Sequence, residues 1–199
     1  MFYHINGIVS ELEPNLAVVD CAGIGFAVNI TMNTASALGI GEKAKLYISE
    51  AIGENNFDLY GFMNKSEKRS FEMLISVSGI GPKAAMSILS HNTPESLALA
   101  IMSDDVKALT VAQGIGKKIA QRVILELKDK ISKEATAFEQ MPITTAISPA
   151  QSSAVNDALM GLSVLGYSSA EISPLLKKLD AENMTAEEII KAVLKQMVK

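Results

Sequence analysis

Along the first 62 positions, apolar and polar residues alternate in short runs rich in β-branched side chains: Ile5 to Val9, Leu16 to Val19, Gly25 to Ile30, Lys45 to Ile48 and Phe57 to Phe62. Glu13-Pro14-Asn15, Ala22-Gly23 and Gly39-Ile40-Gly41 separate them as turn signals, so the pattern predicts five strands. One helix-like stretch near Thr34 to Leu38 interrupts the series. An open sheet of so few strands would leave its edges unpaired, and closure into a small barrel of the OB type removes them.

At Asn64 the period changes to that of a helix. Asn64-Lys65-Ser66-Glu67 reads as a capping box, with Asn64 accepting from the first turn and Glu67 reaching back, and Phe71, Leu74 and Ile75 then share one helical face. Short helices are expected from there to about Lys133, with further starts at Thr93-Pro94-Glu95 and Ser103-Asp104-Asp105. Residues 134–153 hold Pro142 and Pro149 among Ser, Thr and Ala and read as a linker. Three helices should follow, over Val155 to Leu165, Glu171 to Leu179 and Ala186 to Met197, with Ser168/Glu171 and Thr185/Glu188 as capping boxes and Gly166 as a stop. The expected core of this small module is Leu159, Leu162, Leu165, Ile172, Leu176, Ile189 and Val193. The fold class is thus α+β and multidomain: barrel 1–62, helical domain 63–133, linker 134–153, three-helix bundle 154–199.

Charge changes this picture. The net charge of −4 over 199 residues counts against a uniformly basic nucleic-acid binder. By segment, however, residues 1–62 carry two bases against seven acids (−5), residues 63–133 eleven against seven (+4), and residues 134–199 five against eight (−3). A basic middle between acidic ends suggests that different segments meet different partners. With one cysteine, Cys21, no intrachain disulfide can form, and Met1-Phe2-Tyr3-His4 does not open an export signal, so a cytoplasmic location is expected. No run approaches the roughly 18 apolar residues of a membrane span, and His4, His91 and Cys21 are too few for a clustered metal site, so no cofactor is expected.

The basic segment repeats itself at a spacing of 35 residues. Leu74 matches Leu109, Gly79-Ile80-Gly81 matches Gly114-Ile115-Gly116, Lys83 matches Lys118, Ala85 matches Ala120, and Ile88-Leu89 matches Val123-Ile124. Each copy reads as helix, Gly-Ile-Gly turn, and a second helix opening with lysine. Two glycines allow a tight turn and close approach to a ligand, while the isoleucine anchors the turn in the core. The amides at the start of the second helix form an anion site to which Lys83, or Lys117 and Lys118, add charge, and Arg122 lies one turn further on. One such turn could merely join two helices. Two in register, both in the only basic segment, point to phosphate-backbone binding that reads duplex shape rather than sequence. A Walker motif is absent: Val111 stands five residues before Gly116, and Lys118 replaces the hydroxyl residue.

Ser78-Gly79-Ile80-Gly81-Pro82-Lys83 and Gln113-Gly114-Ile115-Gly116-Lys117-Lys118 resemble tandem helix-hairpin-helix motifs. A barrel ending Leu59-Tyr60-Gly61-Phe62 precedes them, and a linker and small domain with Leu162, Leu165, Gly166 and Tyr167 follow. In this order the chain resembles the RuvA family along its whole length. The resemblance implies an OB-fold barrel, a tandem helix-hairpin-helix domain and a UBA-like three-helix bundle. It also implies a non-catalytic protein that binds Holliday-junction DNA as a homotetramer or two facing tetramers and holds the four arms open. Such a protein loads the hexameric RuvB ATPase for branch migration in recombination and repair, before RuvC resolves the junction.

Two further sites follow from the resemblance. An acidic pin would fall on Glu54 and Asn55, where one of the family's two acids is kept; Gly53-Glu54-Asn55-Asn56 read without the family is a polar hairpin loop. Carboxylates at a junction centre would repel the phosphates of crossing strands. Leu162, Leu165 and Tyr167 would contact the motor, although leucines at helical spacing also suit a core.

Two other functions compete. A helix-hairpin-helix glycosylase or lyase would need a base-extrusion pocket, which usually relies on aromatic stacking, and this chain has no Trp and 5% aromatic residues. An adaptor that binds only proteins would leave the repeated turns unexplained.

Overall fold

The computed structural model describes residues 1–54, 56–138, 153–181 and 184–198. Five strands, β1 (His4–Glu13), β2 (Leu16–Cys21), β3 (Ile24–Ile30), β4 (Lys43–Ile52) and β5 (Phe57–Phe62), close into a barrel in the order β1-β2-β3-β5-β4. All neighbours are antiparallel except β3 and β5, which run parallel through Val28↔Leu59 to Ile30↔Gly61. Period-two spacing sends Ala17 and Val19, Val28 and Ile30, and Leu46 and Ile48 inward, where they form the barrel core with Ile5 and Leu59. This is the expected closed OB-type barrel, with each strand but β5 longer than its apolar run. Only the inward positions of a strand must be apolar, so the polar strand ends leave no signal.

Helix α1 (Met32–Ser36) sits two residues earlier than expected, because Thr31 caps it by accepting from the Thr34 amide. Helix α2 (Lys65–Ile75) begins as anticipated, with the Asn64 side chain accepting from the Glu67 N–H at 2.7 Å. The Glu67 carboxylate, expected to reach back to the cap, accepts from the hydroxyls of Thr31 at 2.7 Å and Thr34 at 3.1 Å. All three residues are buried. A buried carboxylate needs strong donors, and the two threonines provide them while tying α1 to α2.

The remaining helices are α3 (Pro82–His91), α4 (Pro94–Met102), α5 (Val106–Thr110), α6 (Lys117–Phe138), α7 (Ser153–Val164), α8 (Ser169–Leu176) and α9 (Ala186–Met197). α6 runs five residues into the segment expected as linker, whose residues 139–152 lie outside the described ones. Glu134, Ala135 and Thr136 lack the helix-breaking glycine or proline that would end it earlier. Both bundle capping boxes form: Glu171 accepts from the Ser168 N–H and Oγ at 2.7 and 2.6 Å, and Glu188 from the Thr185 N–H and Oγ1 at 2.8 Å each. Gly166 ends α7 with φ +99°. No helix among the described residues is long and apolar enough to cross a membrane.

The chain divides into two compact units, Met1–Pro94 with Thr110–Ile115, and Glu95–Leu109 with Gly116–Lys199. The barrel, α2, α3 and both Gly-Ile turns therefore belong to the first unit, and α6 with the C-terminal helices to the second.

Candidate nucleic-acid interface

The two turns have the same internal construction. In the first, the Val77 amide donates to the Leu74 carbonyl and the Ile80 amide to the Val77 carbonyl, each at 3.0 Å, and Gly79 adopts φ +92°. In the second, the Ile115 amide donates to the Ala112 carbonyl at 3.1 Å and Gly114 adopts φ +84°. Left-handed backbone at these two positions is what makes their glycines necessary. Val77, Ile80, Ala112 and Ile115 are buried and pin each turn from below.

The second glycines are different. Gly81 caps α3 with φ −90° and ψ 171°, a conformation open to any residue. A Cβ built at Gly81 or Gly116 meets nothing within 4 Å. Neither dihedral strain nor internal packing accounts for Gly81, and a side chain at either position would project into solvent. The backbone there is open to close approach from outside.

The donors surround that space. The Gly81 carbonyl accepts from Ala85 and the Gly116 carbonyl from Ala120, each at 3.0 Å, so both positions start a helix, and Gly81 supplies no capping side chain to the first-turn amides of α3. Such amides and the positive end of the helix dipole attract anions. Pro82 removes one donor from the first copy, whereas Lys117 at the matching position of the second keeps its N–H. Gly79, Gly81, Lys83, Gly114, Gly116, Lys117, Lys118 and Arg122 are all exposed, whereas Ile80 and Ile115 are not. Arg122 Nε donates to Glu126 Oε1 at 2.7 Å, which holds the guanidinium along α6 while its planar fork has further donors. Beside Lys83 a cleft of about 770 Å³ with mixed polar and apolar walls opens between α3 and the barrel, bounded by Asn15, Asn29, Met32, Asp58, Met86 and His91. Sequence reading did not find this cleft, because its two walls lie far apart in the chain.

The other expected sites fare differently. Glu54 is exposed on the hairpin between β4 and β5, which the Gly53 amide closes by donating to the Asn56 carbonyl at 2.8 Å; Asn55 lies outside the described residues. Leu162, Leu165 and Tyr167 are buried, at 0, 4 and 5% exposure. They belong to the core of the second unit and are not displayed to a partner in this conformation. Burial pushes the Tyr167 phenol far up from its ordinary value, with Glu95 and Glu171 adding to the effect.

Comparison with known families covers almost all of this architecture. Residues 1–61 match the RuvA N terminal domain, 71–129 a SAM-like helix-hairpin-helix tandem, and 153–198 the RuvA C-terminal domain. Among curated relatives, the Holliday junction branch migration complex subunit RuvA of Acetivibrio thermocellus is 43% identical over the full length of both chains. The chain belongs to the RuvA family. The RuvA proteins of Ruminiclostridium cellulolyticum and Bacteroides fragilis are 40% and 41% identical, each over 99% of this chain and all of the relative. The glycosylase alternative finds no support in these matches. The tandem match spans both Gly-Ile-Gly turns, so the internal repeat coincides with the two halves of a helix-hairpin-helix tandem.

Proposed function

We propose that this chain is the junction-binding subunit of a branch migration complex: it binds four-way DNA without reading sequence and acts on it in the cytoplasm. The observation that carries the reading is the pair of exposed glycine turns, alike in backbone and each open above its second glycine, with lysines beside them. Backbone amides and lysines meet phosphates, which every sequence presents alike, so specificity has to come from the shape of the DNA. The family relatives carry the name of a Holliday junction branch migration subunit, and the four-fold form of such a junction is matched by a four-fold assembly of identical chains.

In that assembly the acidic barrel has a role. Four copies of the exposed Glu54 near a common axis would repel phosphates from the centre and keep crossing strands apart. The chain is a non-catalytic subunit: an ATPase of the RuvB kind, held by the C-terminal bundle, supplies the driving force, and a RuvC-type resolvase acts on the opened junction. Paired tetramers would enclose the DNA from both faces.

The test is a double reversal of charge. Lys83→Glu with Lys118→Glu should weaken junction binding across unrelated sequences and flatten its salt dependence, since each phosphate contact contributes about 0.9 to the slope of log affinity against log salt. An unchanged slope would contradict the assignment. Mass measurement with a synthetic junction should show four or eight chains per DNA, and a single chain per junction would contradict the assembly.

A further inference from the structure

The C-terminal bundle does not stand apart from the rest of the second unit. Helix α7 packs on α6 as extensively as on α9, its neighbour within the bundle, and more extensively than on α8. At the edge of that contact, Lys128 of α6 places Nζ 3.0 Å from Asp104 Oδ2, 3.3 Å from Glu187 Oε1 of α9 and 3.5 Å from the Met102 carbonyl oxygen. Glu187 is also 2.9 Å from Lys191 Nζ, so one carboxylate is shared between a lysine of its own helix and one from α6. Within the bundle, Tyr167 is buried and its phenol feels Glu95 of α4 before any other charge.

We infer that the face of α6 is a docking site for the chain's own α7–α9 bundle, closed by Lys128 as a releasable latch. The bundle's cohesion needs no latch, because its capping boxes are internal and Ile172, Ile189 and Val193 are buried apolar side chains. Lys128 instead joins α6 to α9. The latch is built to open. Asp104, Lys128 and Glu187 keep 65, 29 and 45% of their side-chain surface exposed, so the pairs are screened by salt. The Tyr167 hydroxyl is buried and has no hydrogen-bond partner among the described residues, a cost that undocking removes by giving it water. Screening of the Lys128 pairs and hydration of the Tyr167 hydroxyl both favour release against the packing of α7 on α6, and docking covers a face of the bundle that release exposes. On the reading of the bundle as a motor-binding module, the motor would bind in competition with α6; that consequence rests on the proposed function, whereas the docking does not.

The test uses the full chain without DNA, reading amide hydrogen exchange by mass spectrometry together with small-angle scattering. Lys128→Glu should speed exchange in residues 120–128 by about fivefold and raise the radius of gyration, with the barrel strands unchanged. Raising salt to about 0.5 M should move the unsubstituted protein the same way. Tyr167→Phe should act oppositely, slowing exchange in the same residues. Unchanged exchange and scattering in both Lys128→Glu and high salt would overturn the latch, and that salt arm decides should the variant unfold. Faster exchange in Tyr167→Phe would overturn the role given to the hydroxyl. Loss of junction binding by the protein would leave each of these outcomes readable.

Discussion

Ile80 and Ile115 are each 5% exposed, 35 residues apart in the chain, and each lies between an exposed glycine in left-handed backbone and an exposed second glycine. That shared arrangement separates two jobs within one three-residue turn: the isoleucine and first glycine make the fold, and the second glycine leaves the surface clear. The two jobs can be tested independently.

Gly79→Ala and Gly114→Ala should each destabilise the protein by about 1–2 kcal/mol, the usual cost of forcing a Cβ into the left-handed region. Gly81→Ala should leave stability within about 0.5 kcal/mol, since the new methyl meets nothing. It should nonetheless lower DNA affinity by blocking the approach of phosphate. Denaturant melts and DNA titrations of the same preparations check the split; equal effects of both glycines on stability would contradict it.

Glu67→Ala should cost about 2 kcal/mol or more. It leaves the buried hydroxyls of Thr31 and Thr34 without their carboxylate, and a buried unsatisfied donor costs roughly 1–3 kcal/mol. Urea unfolding measures it. The loss should be smaller in a Thr34→Val, Glu67→Ala double variant, where Thr31 still caps α1 and only its hydroxyl loses the carboxylate.

Acid should loosen the C-terminal helices before the barrel. The Ser168 hydroxyl and amide hold the Glu171 carboxyl below its ordinary 4.5, Lys191 and then Lys128 hold Glu187 down, and the Thr185 amide and hydroxyl do so for Glu188. A carboxyl depressed in the folded state contributes stability that is present above 4.5 and is lost as pH falls through the lower folded value. Residue-resolved exchange between pH 5 and pH 3 should show α8 and α9 opening as those groups protonate.

Glu54→Gln should leave the fold intact and narrow the preference for four-way over linear DNA, because it removes the charge that disfavours a duplex crossing the centre. The effect should be largest at low salt. A preference unchanged at all salt concentrations would take Glu54 out of the account.

Much of this was legible in the sequence because it depends on local pattern. Alternation marked the barrel strands, Ser168/Glu171 and Thr185/Glu188 marked two helix starts, and the repeat marked both turns and their lysines. What was not legible depends on groups meeting across long separations. Glu67 looked like the third residue of a capping box, yet its carboxylate faces Thr31, 36 residues away. Lys128 carries no local signal, because its partners Asp104 and Glu187 come from distant stretches of the chain. Leu162 and Leu165 suit a core by their helical spacing, and only the family resemblance made them and Tyr167 a contact surface; all three are buried in this conformation.

Recognition of DNA shape by the paired phosphate-binding turns is tested by titrating the protein against a synthetic four-way junction and a linear duplex of the same arm sequence, at fixed salt and with competitor DNA. Binding should be markedly tighter to the junction, and should stay so when the arm sequences are exchanged. Equal affinity for junction and duplex, or binding that follows the arm sequence, would contradict it.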